Sequence, residues 1–215
     1  MNLQLTETAA VVLEHLTWGL RVCTIDQLQR VLTARRAEAP AARRLVRRLA
    51  DAGLVDFTAT AVTFPDVNEP LYMWAPGDVA PHYDAVAWQL EDRWRKSRPR
   101  RVTVCWATQK AARLCGGTAA FSQHSSQIEH DLGTAGVLTR LHESRPTDAA
   151  HWIGEDILRR YYAPGRPWLK KIPDAAIIDN DRVVAVIEFG GQYPPLRLRR
   201  FHEHFRKHRL KYELW

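Results

Sequence analysis

The sequence predicts an α+β fold in two parts: a set of short helices closed by a hairpin, then a larger mixed segment after residue 80. Three observations carry this prediction. Apolar residues recur at helical spacing through residues 9–52. Two β-prone runs flank the polar turn Asp179-Asn180-Asp181-Arg182. Pro76-Gly77 and Pro81 punctuate the boundary between the parts. Of 215 residues, 46% are hydrophobic, enough for a packed core, so whole-chain disorder is excluded.

In residues 1–80, Ala9, Val12, Leu13 and Leu16 form the apolar stripe of a first helix. Thr24 is the N-cap of a second, whose buried positions are Ile25, Leu28 and Leu32. Pro40 opens a third, with Ala42, Leu45, Leu49 and Ala52 inward and Gly53 as a left-handed cap. Residues 55–62 and 71–74 are expected to pair as a hairpin across the loop Phe64–Pro70. Three helices and a hairpin in this order predict a winged helix-turn-helix, whose third helix enters the DNA major groove. Arg43, Arg44, Arg47 and Arg48 share the outer face of that helix as i,i+4 pairs. Like charges at this spacing repel, and a phosphate or guanine partner relieves the repulsion.

Residues 81–215 read as a second α+β domain. Helices are expected at 82–96, 109–114, 125–141, 152–162 and 196–214, and strands at 102–106, 175–178 and 183–189. The unbroken apolar run Val183–Ile187 predicts a central strand covered on both faces. On the last helix, Leu198, Phe201, Phe205 and Tyr212 form the inner stripe, and Arg197, Arg200, His204, Lys207 and Lys211 an outer basic face.

The charge supports a polyanion partner. The chain carries a net +7, unevenly spread: residues 1–80 hold 8 Arg against 9 acidic residues, leaving +8 for the remainder. The basic residues are clumped at 35–48, 93–101 and 197–211. Clustered Lys and Arg let phosphates displace condensed counterions. Double-stranded DNA is the expected partner, through Arg43, Arg44, Arg47, Arg48, Arg197, Arg200, Lys207 and Lys211. A second copy of the chain is a further candidate partner.

One pair of residues carries possible chemistry. With a turn centred at Asn180–Asp181, antiparallel partners have numbers summing to 361–362, which sets Asp174 opposite Glu188. Opposed side chains stand about 5 Å apart. Two carboxylates so placed repel unless a proton or cation lies between them. Mg²⁺ or Mn²⁺ would suit Asp174 and Glu188, with Glu155 a third carboxylate. The plain alternative is that both residues cap strand ends and face water.

At these residues a resemblance enters. Ile172-Pro173-Asp174, a hairpin and Ile187-Glu188-Phe189-Gly190 resemble the PD-(D/E)xK nuclease-like core. More narrowly, a winged helix, then Pro173-Asp174-Ala175, Glu188-Phe189-Gly190-Gly191 and a basic helix reaching Lys211-Tyr212 resemble the plasmid replication-relaxation (mobilisation-accessory) family. The resemblance implies a winged helix over 1–80 and a nuclease-like domain over 81–215. It implies a role in replication, mobilisation or transcriptional control of a plasmid or mobile element, with a replication or mobilisation protein as a further candidate partner. It also implies that Glu155, Asp174 and Glu188 would be catalytic if the site is active. The chain departs from the pattern at Gly190, which stands where the family's nuclease core has Lys. Glycine has no side chain to hold a water, so Lys170, Lys171 or Gln192 would have to substitute, and a DNA binder with a degenerate site is favoured. A metal-dependent DNA endonuclease and a protein-interaction adaptor are the alternatives.

Other classes are not indicated. There is no P-loop pattern and no run of about 18 apolar residues. The three cysteines form no CxxC, and no basic segment precedes Arg21, so a reduced cytoplasmic protein without a metal centre at cysteine is expected.

Overall fold

The computed structural model describes residues 5–35, 42–119, 121, 127–163 and 165–215. The fold is α+β with two sheets. Helix α1 (Glu7–Glu14) continues into a π-helical turn, His15–Gly19, and leads through β1 (Cys23–Thr24) to α2 (Ile25–Ala34) and α3 (Ala42–Asp51). Thr24 and Gln27 form a reciprocal capping box at the start of α2. The Gln27 amide also donates to the Leu132 carbonyl, 2.8 Å away. Gly53 takes φ +68 and closes α3 as expected. Pro40 lies outside the described residues.

The first sheet has the order β1-β4-β2, joining β2 (Val55–Val62) to β4 (Arg100–Ala107) over eight antiparallel pairs, Val55↔Ala107 through Val62↔Arg100. The expected hairpin of 55–62 with 71–74 is therefore replaced. Pro65 and Pro70, which cannot donate to a ladder, lie between these runs. The ribbon partner of β2 arrives after β3 (Tyr72–Trp74) and α4 (Tyr83–Lys96). Strands from either side of residue 80 pair with each other in both sheets.

The second sheet runs β3-β8-β7-β6-β5. Helices α5 (Gln109–Cys115), α6 (Ile128–Ser144) and α7 (Pro146–Ala150) precede the antiparallel meander β5 (Trp152–Gly154), β6 (Ala175–Asp179) and β7 (Arg182–Glu188). Between β5 and β6 lie the single turn α8 (Glu155–Ile157), a π-helical turn at Leu158–Tyr162 and a 3-10 turn at Pro167–Lys170. Helix α9 (Pro195–Lys207) then crosses over to β8 (Tyr212–Leu214), which pairs parallel with β7. Strand β7 is central, and Ala185–Glu188 are buried. The expected helix start at Ser125/Ser126 lies outside the described residues.

Two expected helices are shortened by strands. Trp152–Gly154 is an edge strand, because Trp152 Nε1 donates to the Gly19 carbonyl at 2.9 Å and the backbone packs on Gly19. A short apolar run does not distinguish helix from strand by periodicity. The last helix ends at Lys207: Arg209 takes a left-handed φ of +54, and residues 212–214 enter the sheet. Tyr212 reaches the core from a strand, and Lys211 leaves the basic helical face to pair with buried Glu213 at 3.4 Å.

One large buried cluster joins the two parts. Leu13, Leu16, Leu28 and Leu45 belong to the same buried cluster as Leu138, Trp152, Ile187 and Trp215. Gly154 shows how close the layers are: a Cβ there would meet the Gly19 carbonyl oxygen at 2.4 Å. Gly154→Ala is expected to destabilise the protein by about 1–3 kcal/mol through this backbone collision. Chemical denaturation reads the loss, and Ala150→Ser on the exposed side of α7 serves as the unaffected control.

Candidate functional site

The β6–β7 hairpin positions the carboxylate pair. Asn180 and Asp181 both take positive φ, +48 and +61, as a two-residue primed turn requires. The ladder pairs Ala175↔Ile187 and Ala176↔Val186, then shifts by one residue at Ile177/Ile178. Asp174 precedes β6 and Glu188 ends β7, so the continued register sets them opposite each other. Asp174 Oδ2 accepts a hydrogen bond from the Phe189 N–H at 2.7 Å, and His130 Nε2 lies 3.4 Å from the same oxygen. Glu188 is 5% exposed, and its Oε1 accepts from the Tyr193 hydroxyl at 3.0 Å.

Burial dominates the electrostatics. It pushes the Asp174 carboxyl up to about 7, helped by Glu155 and Asp131 and opposed by the Phe189 N–H and by Arg21. Glu188 is raised in the same way, first by burial and then by the charge of Asp174, against Lys171 and the Tyr193 hydroxyl. Lys171 is lowered by burial, although Glu188 favours its charged form. Its ammonium sits over the Phe201 ring at 4.6 Å. Of the three residues considered as substitutes for the missing lysine, Lys171 is thus the one whose charge acts on Glu188. Lys170 and Gln192 are exposed.

Glu155, the first residue of α8, faces a cation. Arg21 Nη2 lies 2.9 Å from Glu155 Oε2, and the same guanidinium grips Asp156 in a bidentate pair at 2.8 and 2.7 Å. Arg21 also approaches Asp131 at 3.5 Å, and Arg159 pairs with the other Glu155 oxygen. The Glu155 N–H donates to the Asp174 carbonyl at 2.9 Å, which joins the two acidic groups through the backbone. The cleft between them, lined by Arg21, Asp131, Glu155, Asp156 and Asp174, has a volume of about 30 Å³, room for a water or two.

These residues do not fit a resident divalent ion. Among the described residues, no three acidic, histidine or cysteine side chains converge to hold one. The Glu155 oxygens are held by two guanidiniums, while Asp174 and Glu188 each spend an oxygen on a protein donor. At Gly190, a Cβ would stand 2.3 Å from the Leu90 side chain, itself fully buried, so this position is packed shut. The Gly190 carbonyl instead accepts from Arg93 and Trp94.

The basic residues divide between two surfaces. Arg43, Arg44, Arg47 and Arg48 are exposed on α3, opposite buried Leu45, Val46 and Leu49. Among the described residues none of the four has an ion-pair partner. Arg197, Arg200 and Lys207 are exposed on α9, with the Arg197 guanidinium 3.6 Å from the Tyr193 ring centre. That contact brings a basic surface to the residue that hydrogen-bonds Glu188. His204 is half-buried against the Trp168 carbonyl, so it does not join this face.

Sequence reasoning missed Arg21, Asp131, Asp156, His130 and Tyr193. Arg21 is the first basic residue of the chain and stands alone in its segment. That isolation was the one available signal. The others come from separate elements and carry no shared spacing.

No protein-family model, curated protein or solved structure matches this chain.

An acid with a raised folded-state pKa binds its proton more tightly folded than unfolded. Stability contributed by Asp174 is therefore greatest below about pH 4, its unfolded value, and is lost as the pH rises to about 7. Asp174→Asn keeps an acceptor for the Phe189 N–H and removes this loss. Relative to the unsubstituted protein, its melting temperature should rise more at pH 8 than at pH 4. Equal displacement at both values would contradict the assigned shift.

Proposed function

We propose that this protein binds double-stranded DNA through α3 and that its acidic site is non-catalytic. The observation that carries the reading is the set of four exposed arginines on α3 without an ion-pair partner among the described residues. Four guanidiniums within two helical turns repel one another unless anions neutralise them. The antiparallel β2–β4 ribbon lies beside α3, as a wing does. The basic face of α9 supplies a second surface along which a phosphate backbone can run. The helix, three-strand meander, helix and parallel strand from α6 to β8 follow the order expected of a PD-(D/E)xK-like core. This supports the narrower reading: a replication, mobilisation or transcriptional-control protein of a plasmid or mobile element. Arg21 in the acidic cleft and the closed position at Gly190 favour binding over cleavage.

Replacing Arg43, Arg44, Arg47 and Arg48 by Ala should weaken duplex binding and flatten its salt dependence. The slope of log affinity against log salt falls by about 0.9 for each phosphate the variant no longer neutralises. Fluorescence anisotropy over a salt series measures it, and an unchanged slope would reject the α3 interface in favour of an adaptor role.

Supercoiled plasmid incubated with the protein and Mg²⁺ or Mn²⁺ should stay supercoiled. Nicking that disappears in Asp174→Ala and Glu188→Ala would instead establish a metal-dependent endonuclease.

A further inference from the structure

A second cavity lies on the other side of the first helical segment, between the π-helical turn after α1, the end of α2, α6 and β5, with a volume of about 230 Å³. An apolar cavity of about 150 Å³ accommodates a benzene ring, so this one has room for a ring and a polar head. Val11, Leu138 and Trp152 form apolar walls. His15 and His142 both line it and lie in tilted ring contact, with ring centres 5.6 Å apart. Both residues are only 8% exposed, and neither imidazole has a hydrogen-bond partner among the described residues. Arg35, at the C-terminal end of α2, lines the same cavity, and it too has no ion-pair partner among the described residues.

One guanidinium and one carboxylate, Arg35 and Glu14, line this cavity. Burial and the nearby Arg35 guanidinium hold both imidazoles neutral, with His15 lowered to about 3 and His142 to about 4. Glu14 lines the same cavity, and the charge that acts on both imidazoles is that of Arg35. A neutral imidazole offers one N–H donor and one acceptor. A partly open cleft with apolar walls, two such rings and one guanidinium has the composition of a small-molecule site.

We propose that this cavity binds a small organic monoanion, an apolar ring or short branched chain bearing one carboxylate. The apolar walls take the body of the ligand. Arg35 and the imidazole N–H groups receive the carboxylate in charge-assisted hydrogen bonds. Two imidazoles alone leave a zinc ion short of its tetrahedral set, and no third metal-binding side chain converges on them among the described residues. The proposal stands independently of DNA binding by α3.

Benzoate titrated into the full chain tests this, with benzamide as the neutral probe of the same shape. Calorimetry should show saturable benzoate binding with a Kd of about 1 mM and at least about tenfold weaker binding of benzamide. Arg35→Gln, a change at an exposed residue, should weaken benzoate by about tenfold and leave benzamide unchanged. In protein labelled with ¹³C-histidine, benzoate should move the His15 and His142 signals and leave that of His202 in place. Absence of saturable benzoate binding, equal affinity for benzamide, an unaltered Arg35→Gln isotherm or unmoved His15 and His142 signals would each overturn the proposal.

Discussion

The acidic centre of this protein depends on one guanidinium. Arg21 sits between the π-helical end of α1 and β1 and reaches Asp156, Glu155 and Asp131. Its side chain is 22% exposed, so solvent screens these pairs only in part. Leaving a buried ion pair without one partner costs about 3–5 kcal/mol, and partial exposure puts Arg21 below that range. The contact ties the first helical segment to α6 and α8, on the two sides of the acidic cleft. Gly154 and Gly19 then touch through their backbones, and Trp152 hydrogen-bonds the Gly19 carbonyl.

The acid pair behind that guanidinium is held in a protonating environment. Asp174 and Glu188 face each other with little solvent, and each hydrogen bond they accept offsets only part of the burial penalty. Lys171 and Arg197 stand at the Glu188 end, so the site has an acidic floor and a basic border. A polyanion would meet the border first. Elsewhere, buried charge is matched more completely: Glu213 is fully buried and paired with both arms of Arg145 at 2.8 and 2.9 Å. The difference between Glu213 and Glu188 is the difference between an ion pair that organises a strand and a carboxyl left without a close ion-pair partner.

Much of the local structure was legible because it depends on short-range rules. Thr24 caps α2, Gly53 closes α3 and the Asn180-Asp181 turn sets a register that puts Asp174 opposite Glu188. The outward set of Arg43, Arg44, Arg47 and Arg48 follows from a 3.6-residue period over an unbroken helix. The partner of β2 was not legible, because two β-prone runs compete and proximity in sequence favours the wrong one. The strand at 212–214 was hidden because Tyr212 falls on the apolar stripe of α9 whether or not the helix continues. The cluster around Arg21 joins residues more than 100 positions apart, where no spacing rule applies.

By itself the sequence determined an α+β chain, its helix caps, its central strand, a basic third helix and one opposed pair of carboxylates. Each of these follows from interactions within a few residues or across one tight turn. The tertiary structure alone decided that the two parts share a core, that β2 pairs with β4, and that Glu155 belongs to Arg21. It also decided that the space beside Gly190 is filled by Leu90. Burial and long-range pairing set all four, since a carboxylate's partner and a glycine's free space depend on which distant segment packs against them.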